Sequence, residues 1–567
     1  MKITGILIIF CTVLSLVAQA QEQGLRDMSD GEFLQLFTAR NEQPVHTAFT
    51  GGEQPVQGRK CSFDLMAEAA RRLPLMQPDD AQLMRRLLAP PVTQTSVLSP
   101  NGRFRVHFDT TGRHAPAMID EAGNRIPGSY FAYADSVGTA FEHVYEVEIA
   151  RLGYEVPPMQ QGFNEYQIYI QEYFGNYYGE TAWTGIVVNP GTIKQTYATY
   201  IQIDNDYREY YSKGLNGLRV TAAHEYHHAI QLGRYGLWSE DQWMHEMTST
   251  YYEEYVYPEI NDYLIYVRTF MKYPDRALYS WGNQGYELVL WPIMLERRYG
   301  PGLMREFWNG LKQKESITAM RDGLASAGGD FASDFCTWAK VNYFTGWRWN
   351  RLDPVEYSDG EMFPSVVFTA TQPLNAGSAL FNGTVLPLSS QYFRVARGLD
   401  TVAFVVSNVD MSAALARSGS GVGFTLEVRE TAPDASWQSL TNGWAYKFTA
   451  ATGNALCMHV LDAGATQDDR LREPWPNPLL LAESSRMHFP LPRNLAVNRV
   501  ELVVYTVGMV ELYRKDNLPV QLDDLIGAYV AWDIQAGEGT DLASGVYFYV
   551  LSYGSERRSG KFAVIGR

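Results

Sequence analysis

Cysteine is scarce in this chain. There are four in 567 residues, Cys11, Cys61, Cys336 and Cys457, far apart and without the spacing of a disulfide framework. Histidine is scarce as well, ten residues in all, so any cluster of it is informative. Basic charge is in deficit: 47 Lys and Arg against 63 Asp and Glu give a net charge of -16, with no basic cluster. That balance excludes an electrostatic grip on nucleic acid or anionic lipid. Long apolar runs are missing beyond the first twenty residues, where Ile6 to Val17 lies between Lys2 and the small-x-small triplet Ala18-Gln19-Ala20. This is the pattern of a signal peptide, and it is shorter than the roughly 20 residues that span a membrane. Residues 1–20 are therefore expected to leave on export through the periplasm, taking Cys11 with them, and the product to be secreted or held at the cell surface without a transmembrane anchor. Three distant cysteines then remain, so stability is expected from packed cores or bound metal rather than from cystines.

What is present is an ordinary globular balance, 46% hydrophobic and 19% charged, with 36 Tyr and 13 Trp. The length exceeds the roughly 250–300 residues at which single cores stop growing, so several domains are expected. Residues 21–98 read as a polar, propeptide-like lead with one amphipathic helical piece, "CSFDLMAEAARRLPLM", closing in the Pro- and Ser-containing "LLAPPVTQTSVLSP". In a latent form Cys61 of this lead could occupy a metal as thiolate; its alternative is a small buried hydrophobe. Residues 99–363 begin with alternating strands ("GRFRVHF", "YQIYIQEYF", "YATYIQID") and continue with helical runs, which reads as an α+β unit. Residues 364–468 and 469–567 are short alternating strands between Gly, Asn and Asp turns and read as two all-β sandwiches.

The densest chemistry lies in "TAAHEYHHAIQ", with Thr221 as a helix start signal and an Ala pair behind it. On a helix, His224 and His228 project from one face, one turn apart, within reach of a single ion. Glu225 stands about 100° round the turn, placed to touch water on the metal rather than the metal. This HExxH spacing suits Zn2+, with Glu225 as general base. His227 at i+3 could also chelate, but only the 224/228 pair leaves Glu225 in the base position. A catalytic zinc needs a third protein ligand. Gln231 and Arg234 stand where a glycine and a third histidine would extend the motif, so the ligand must come later. In "WMHEMTSTYYEEY", Glu246, Ser249, Thr250 and Glu253 form one helical stripe, with Glu246 as ligand and Glu253 or Thr250 to orient a histidine; His245 is the rival ligand.

"HEYHHAIQ" followed by "HEMTSTYYEEYVYP" resembles the gluzincin metallopeptidases, and more closely a family of secreted bacterial metalloproteases. "SPNGRFRVHFDTTGRHA", "DEAGNRIPG", "ARLGYEVPP" and "YIQIDNDY" extend that resemblance over about residues 100 to 350. It implies a zincin-like catalytic domain acting on protein or peptide substrate, His224, His228 and Glu246 as zinc ligands, and Glu225 as base. It also implies a Tyr or His hydrogen bond to the developing oxyanion, for which Tyr286 is the candidate, its alternative being a packing tyrosine. The strand "YATYIQID" resembles the edge strand that takes an extended substrate by β-addition, its alternative being an ordinary sheet strand. Two departures from the family matter: Glu287 replaces a glycine beside Tyr286, and Ala122 and Gly128 remove two oxygen donors from an acidic loop. The second change leaves Asp120 and Asn124 and weakens the case for Ca2+ there.

The last hundred residues, with Trp532, Gly539, Ser544-Gly545-Val546-Tyr547 and Gly560-Lys561, are similar to the immunoglobulin-like C-terminal sorting domain of type IX secretion cargo. That resemblance implies the type IX secretion machinery as a partner; a generic adhesive sandwich is the alternative. The combined expectation is a multidomain, secreted zinc-dependent endopeptidase. The competing expectations are a zinc-containing adhesion or glycan-binding protein that no longer hydrolyses, and a zinc aminopeptidase, for which no acidic anchor is evident.

Overall fold

Strand Phe104–Phe108 (β3) buries Phe104, Val106 and Phe108 and turns Arg105 and His107 partly outward, as alternation predicts. Tyr166–Gln171 (β4) and Thr196–Asp204 (β6) are instead buried almost throughout, the mark of strands covered on both faces. In the computed structural model these strands join Arg59–Cys61 (β1), Thr95–Leu98 (β2) and Tyr177–Val187 (β5) in a six-stranded mixed sheet of order β1-β5-β6-β4-β3-β2. The structure describes residues 25–39, 59–175, 177–281, 285–349, 357–374, 377–397, 400–440, 443–450, 455–463, 474, 479–481, 486–491, 499–523, 527–534, 542–554 and 556–565. The expected signal peptide and Gly539 lie outside them.

The described chain divides into two compact units, the first comprising residues up to Phe270 with Ala277–Asp334 and Ala414–Arg417, the second Met271–Arg276, Phe335–Ala413 and Ser418 onward. The boundary expected at residue 363 thus falls inside the second unit. A boundary after residue 98 would cut a hairpin, because β2 pairs antiparallel with β3, Thr95 opposite Phe108 and Leu98 opposite Arg105. Nor does the lead stand apart from the sheet. Asp30–Ala39 (α1), Phe63–Arg72 (α2) and Pro78–Leu87 (α3) pack Phe33, Phe37, Leu65, Met66 and Met84 against Tyr169, Trp183, Tyr197 and Tyr200 of β4, β5 and β6 in one buried cluster. β1 itself pairs in parallel with β5, Arg59 opposite Tyr177 and Cys61 opposite Gly179.

Three helices of this unit position the site. Tyr130–Tyr145 (α4) ends in a π-helical turn, Glu146–Arg151. Leu215–Ile230 (α5) packs on β5 and β6 and ends in another, Gln231–Tyr235; Gln242–Val256 (α6) packs against α5. The helix carrying the histidines begins six residues before the expected start signal, after Gly214, whose φ of 56° suits glycine. Thr221 lies inside it and donates to the Gly217 carbonyl at 2.8 Å.

The second unit is dominated by β-structure. Ala370–Pro373 (β7), Ser389–Arg397 (β9), Asp400–Asn408 (β10) and Leu456–Ala463 (β14) form one sheet; Ser378–Val385 (β8), Val422–Arg429 (β11), Gln438–Ser439 (β12) and Ala445–Ala450 (β13) form another. Phe381, Phe393, Phe404, Leu426 and Trp444 fill a common core. Further on, a five-stranded and a three-stranded sheet share a core built on Phe489, Val504, Val530, Trp532, Leu551 and Phe562. Cys336 and Cys457 are joined by a disulfide that links positions 121 residues apart. The expectation of no cystine is corrected here: wide spacing in sequence does not exclude a bridge once helix Phe331–Tyr343 and β14 bring the two Cα atoms to 6.4 Å.

Candidate metal centre

α5 is buried from Gly217 to Ile230 with the single exception of half-buried Arg219, so its polar side chains must find partners inside the protein. His224 Nδ1 lies 2.7 Å from Glu253 Oε1. His228 Nδ1 lies 2.8 Å from Gln231 Oε1 and 3.2 Å from Ser249 Oγ. Carbonyl and carboxylate oxygens accept, so each Nδ1 carries the proton and each Nε2 presents a lone pair. The two Nε2 atoms are 3.1 Å apart, and Glu246 Oε2 lies 3.2 Å from one and 3.3 Å from the other.

Cys61 completes the group. Its Sγ is 3.6 Å from His228 Nε2, 3.3 Å from Glu246 Oε1 and 3.6 Å from Tyr286 Oη. The four ligand atoms all lie within 4.8 Å of one another. Tetrahedral zinc, with bonds of about 2.0–2.3 Å, sets its donors roughly 3.3–3.8 Å apart, so this donor set fits such an ion.

Glu225 lies beside the group without joining it. Its Oε2 accepts a hydrogen bond from Thr181 Oγ1 at 2.8 Å, while its buried Oε1 has no hydrogen-bond partner among the described residues. Burial above all, with the Glu246 and Glu180 carboxylates, pushes it up to about 8; His224, Thr181 and any cation at the centre pull the other way. Tyr286 opens the turn Tyr286–Val289, stacks on Tyr266 and sends its hydroxyl to the group. Gly285 makes this approach possible: a Cβ there would sit 1.9 Å from the Trp243 carbonyl oxygen.

The structure thus brings together His224, His228, Glu246, Glu225, Tyr286 and Cys61. It leaves out the two rival histidines. His227 Nδ1 pairs with Glu148 Oε2 at 2.8 Å, from the π turn after α4, and its ring lies against Tyr252. His245 uses both nitrogens, Nδ1 with Gln231 Oε1 at 3.0 Å and Nε2 with the Trp238 N–H at 3.3 Å. Of the two residues expected to orient a histidine, Glu253 does so; Thr250 donates instead to the Glu246 carbonyl within α6. Sequence reasoning missed Gln231 as the partner of His228, although its i+3 position was a signal. It also missed Thr181 and Lys60, which reach the site from strands. The strand "YATYIQID" is β6, flanked on both sides by β4 and β5, so it is not an edge; the edges of the sheet are β1 and β2, and β1 lies along β5. At the acidic loop, Asp120 Oδ1 accepts the N–H groups of Ala122 and Asn124 at 3.0 and 2.8 Å.

No known protein family matches the chain, and no curated protein does. Among solved structures, a chain of PorZ, described as an essential bacterial surface component of the type IX secretion system of Porphyromonas gingivalis, aligns over 24% of this chain and 16% of its own, at 17% identity and a TM-score of 0.13. A likeness so slight carries no argument. No helix among the described residues is long and apolar enough to cross a membrane.

Proposed function

We propose that this protein is a secreted zinc-dependent endopeptidase of gluzincin type, with a zincin-like first unit and immunoglobulin-like sandwiches behind it. One observation carries the reading: His224 Nε2, His228 Nε2 and Glu246 Oε2 stand 3.1–3.3 Å apart with an unpartnered Glu225 oxygen beside them. When bound, zinc supplies Lewis-acid polarisation of the scissile carbonyl and of a water molecule. Glu225 takes the water's proton on Oε1 and passes it to the leaving amine, while Thr181 keeps the other oxygen in place. Tyr286 Oη donates to the oxyanion as it forms. Glu253 and Gln231 keep both histidines in the tautomer that leaves Nε2 free. An extended peptide is held by backbone hydrogen bonds along β5 once β1, which pairs with that strand, is displaced.

The β-rich final hundred residues, with Trp532 buried against Tyr513, support the reading of a type IX sorting domain that directs the protein outside the cell. The decisive experiment measures metal content by elemental analysis and cleavage of denatured casein for the processed protein and its Glu225→Gln variant. One zinc in each, with cleavage by the wild type alone, supports the peptidase; zinc in both and cleavage by neither favours a zinc-containing binding protein.

A further inference from the structure

The donor atoms at the centre are closed to any substrate. His224, His228 and Glu225 are 0% exposed, Glu246 is 1% and Cys61 is 2% exposed. What closes them is a five-residue stretch of the lead, Arg59 to Phe63, and each of its residues after Arg59 makes a specific grip. Lys60 Nζ sits between Asp262 Oδ2 at 2.7 Å and Glu253 Oε2 at 2.8 Å, fully buried and over the Tyr178 ring. Glu253 is the same carboxylate whose other oxygen holds His224, so the ammonium locks the partner of a ligand. Ser62 Oγ donates to Glu180 Oε2 at 2.6 Å. The Phe63 ring stacks on the His228 imidazole, centroids 4.4 Å apart at 12°. Between these grips Cys61 pairs with Gly179 of β5 and directs Sγ, not a peptide carbonyl, at the ligand atoms. Glu225 Oε1, buried and unpartnered, lies within electrostatic range of that thiol.

We propose that Arg59–Phe63 is an autoinhibitory plug, in which β1 occupies the substrate's place on β5 and Cys61 is the fourth ligand of the ion held by His224, His228 and Glu246. The proposal rests on the metal-centre reading and adds its regulation. On ligation the Cys61 S–H bond breaks as the sulfur–metal bond forms, the proton goes to solvent, and sulfur fills the fourth position, which gives a closed four-coordinate set of one thiolate, two imidazoles and one carboxylate with no place for water. Activation removes the plug: the sulfur–metal bond breaks, the thiolate takes a proton from solvent, and the position and the β5 edge open together. The four grips belong to one short segment, so cutting the chain near it releases all of them.

The test uses the full chain loaded with Co2+ in place of zinc. Wild type is expected to show a thiolate-to-cobalt charge-transfer band in the near ultraviolet, and Cys61→Ser to lose at least nine-tenths of it while keeping the visible bands of four-coordinate cobalt. Limited proteolysis should abolish the wild-type band in step with at least a tenfold rise in casein cleavage by the zinc form. Visible cobalt bands without the charge-transfer band in the wild type would overturn the plug's ligand role and leave the metal centre standing. So would a tenfold rise in cleavage with the band unchanged. Failure of both proteins to retain cobalt would overturn the metal centre, and this proposal with it.

Discussion

At the residue scale the centre is made by tautomers as much as by ligands. Glu253 fixes His224 and Gln231 fixes His228, and each does so through Nδ1. Glu253→Gln is expected to weaken zinc binding by about 10- to 100-fold, read by competition with a coloured chelator. Thr250→Val should leave it unchanged, because that hydroxyl is spent on its own helix. Glu225→Gln in the processed protein is expected to retain zinc and lose about 10²- to 10⁴-fold in kcat. On the proposed role, in which its hydroxyl serves the oxyanion rather than the ground state, Tyr286→Phe should lower kcat with little change in KM. The HExxH spacing made His224, Glu225 and His228 legible, because one helical turn is a local property. Lys60 and Thr181 were not legible: they reach the site across strand pairings whose register no local pattern records.

At the element scale, close approaches hold the parts together. A Cβ at Gly179 would lie 2.8 Å from Thr221 Cγ2 and 2.9 Å from the Gln202 carbonyl oxygen, so β5 can lie against α5 only with glycine there. The end of β6 carries a pH-sensitive joint. Asp204 accepts the N–H groups of Asp206 and Tyr207 and the Tyr210 hydroxyl, and burial above all, then the Asp206 and Glu172 carboxylates, pushes it up to about 7. An unfolded Asp titrates near 4, so folding takes up a proton here. The stability this brings is complete below about pH 4 and is lost as pH rises through about 7. Asp204→Asn is therefore expected to gain on the wild type by a few kcal/mol between about pH 4.5 and 8, measured as the difference of their urea midpoints. A difference that stays flat or shrinks over that range would rule the joint out.

At the scale of the whole molecule, a disulfide steadies the second unit. Cys336 on a helix and Cys457 on β14 close a long loop, and such bonds contribute about 2–5 kcal/mol. Replacing both cysteines by Ser is expected to lower the melting temperature of the β-rich unit while the zinc content stays at one per chain, because Cys61 is the only free thiol among the described residues and lies in the other unit. Loss of zinc from that double variant would show that the two units depend on each other. The division into an α/β unit and a β-rich unit was legible as a change of hydrophobic period from helical to alternating near residue 363. The division of helix Phe331–Tyr343 at Asp334 was not, since the helix keeps the helical period of the segments before it although, from Phe335 on, it groups with the strands after it.

Composition, net charge and the histidine spacing depend only on residues near one another in the chain, so the linear text already specified a globular, acidic protein with a helical pair of imidazoles one turn apart. That Cys61 joins them, which side chains orient each imidazole, where the edge of the sheet lies and which strand runs along β5 were decided by tertiary structure. Cys61 meets Glu246 across 185 residues and Tyr286 across 225, and Cys336 meets Cys457 across 121. Contacts of that span are selected by the packing of whole elements around a shared core, a choice in which every residue of the unit takes part.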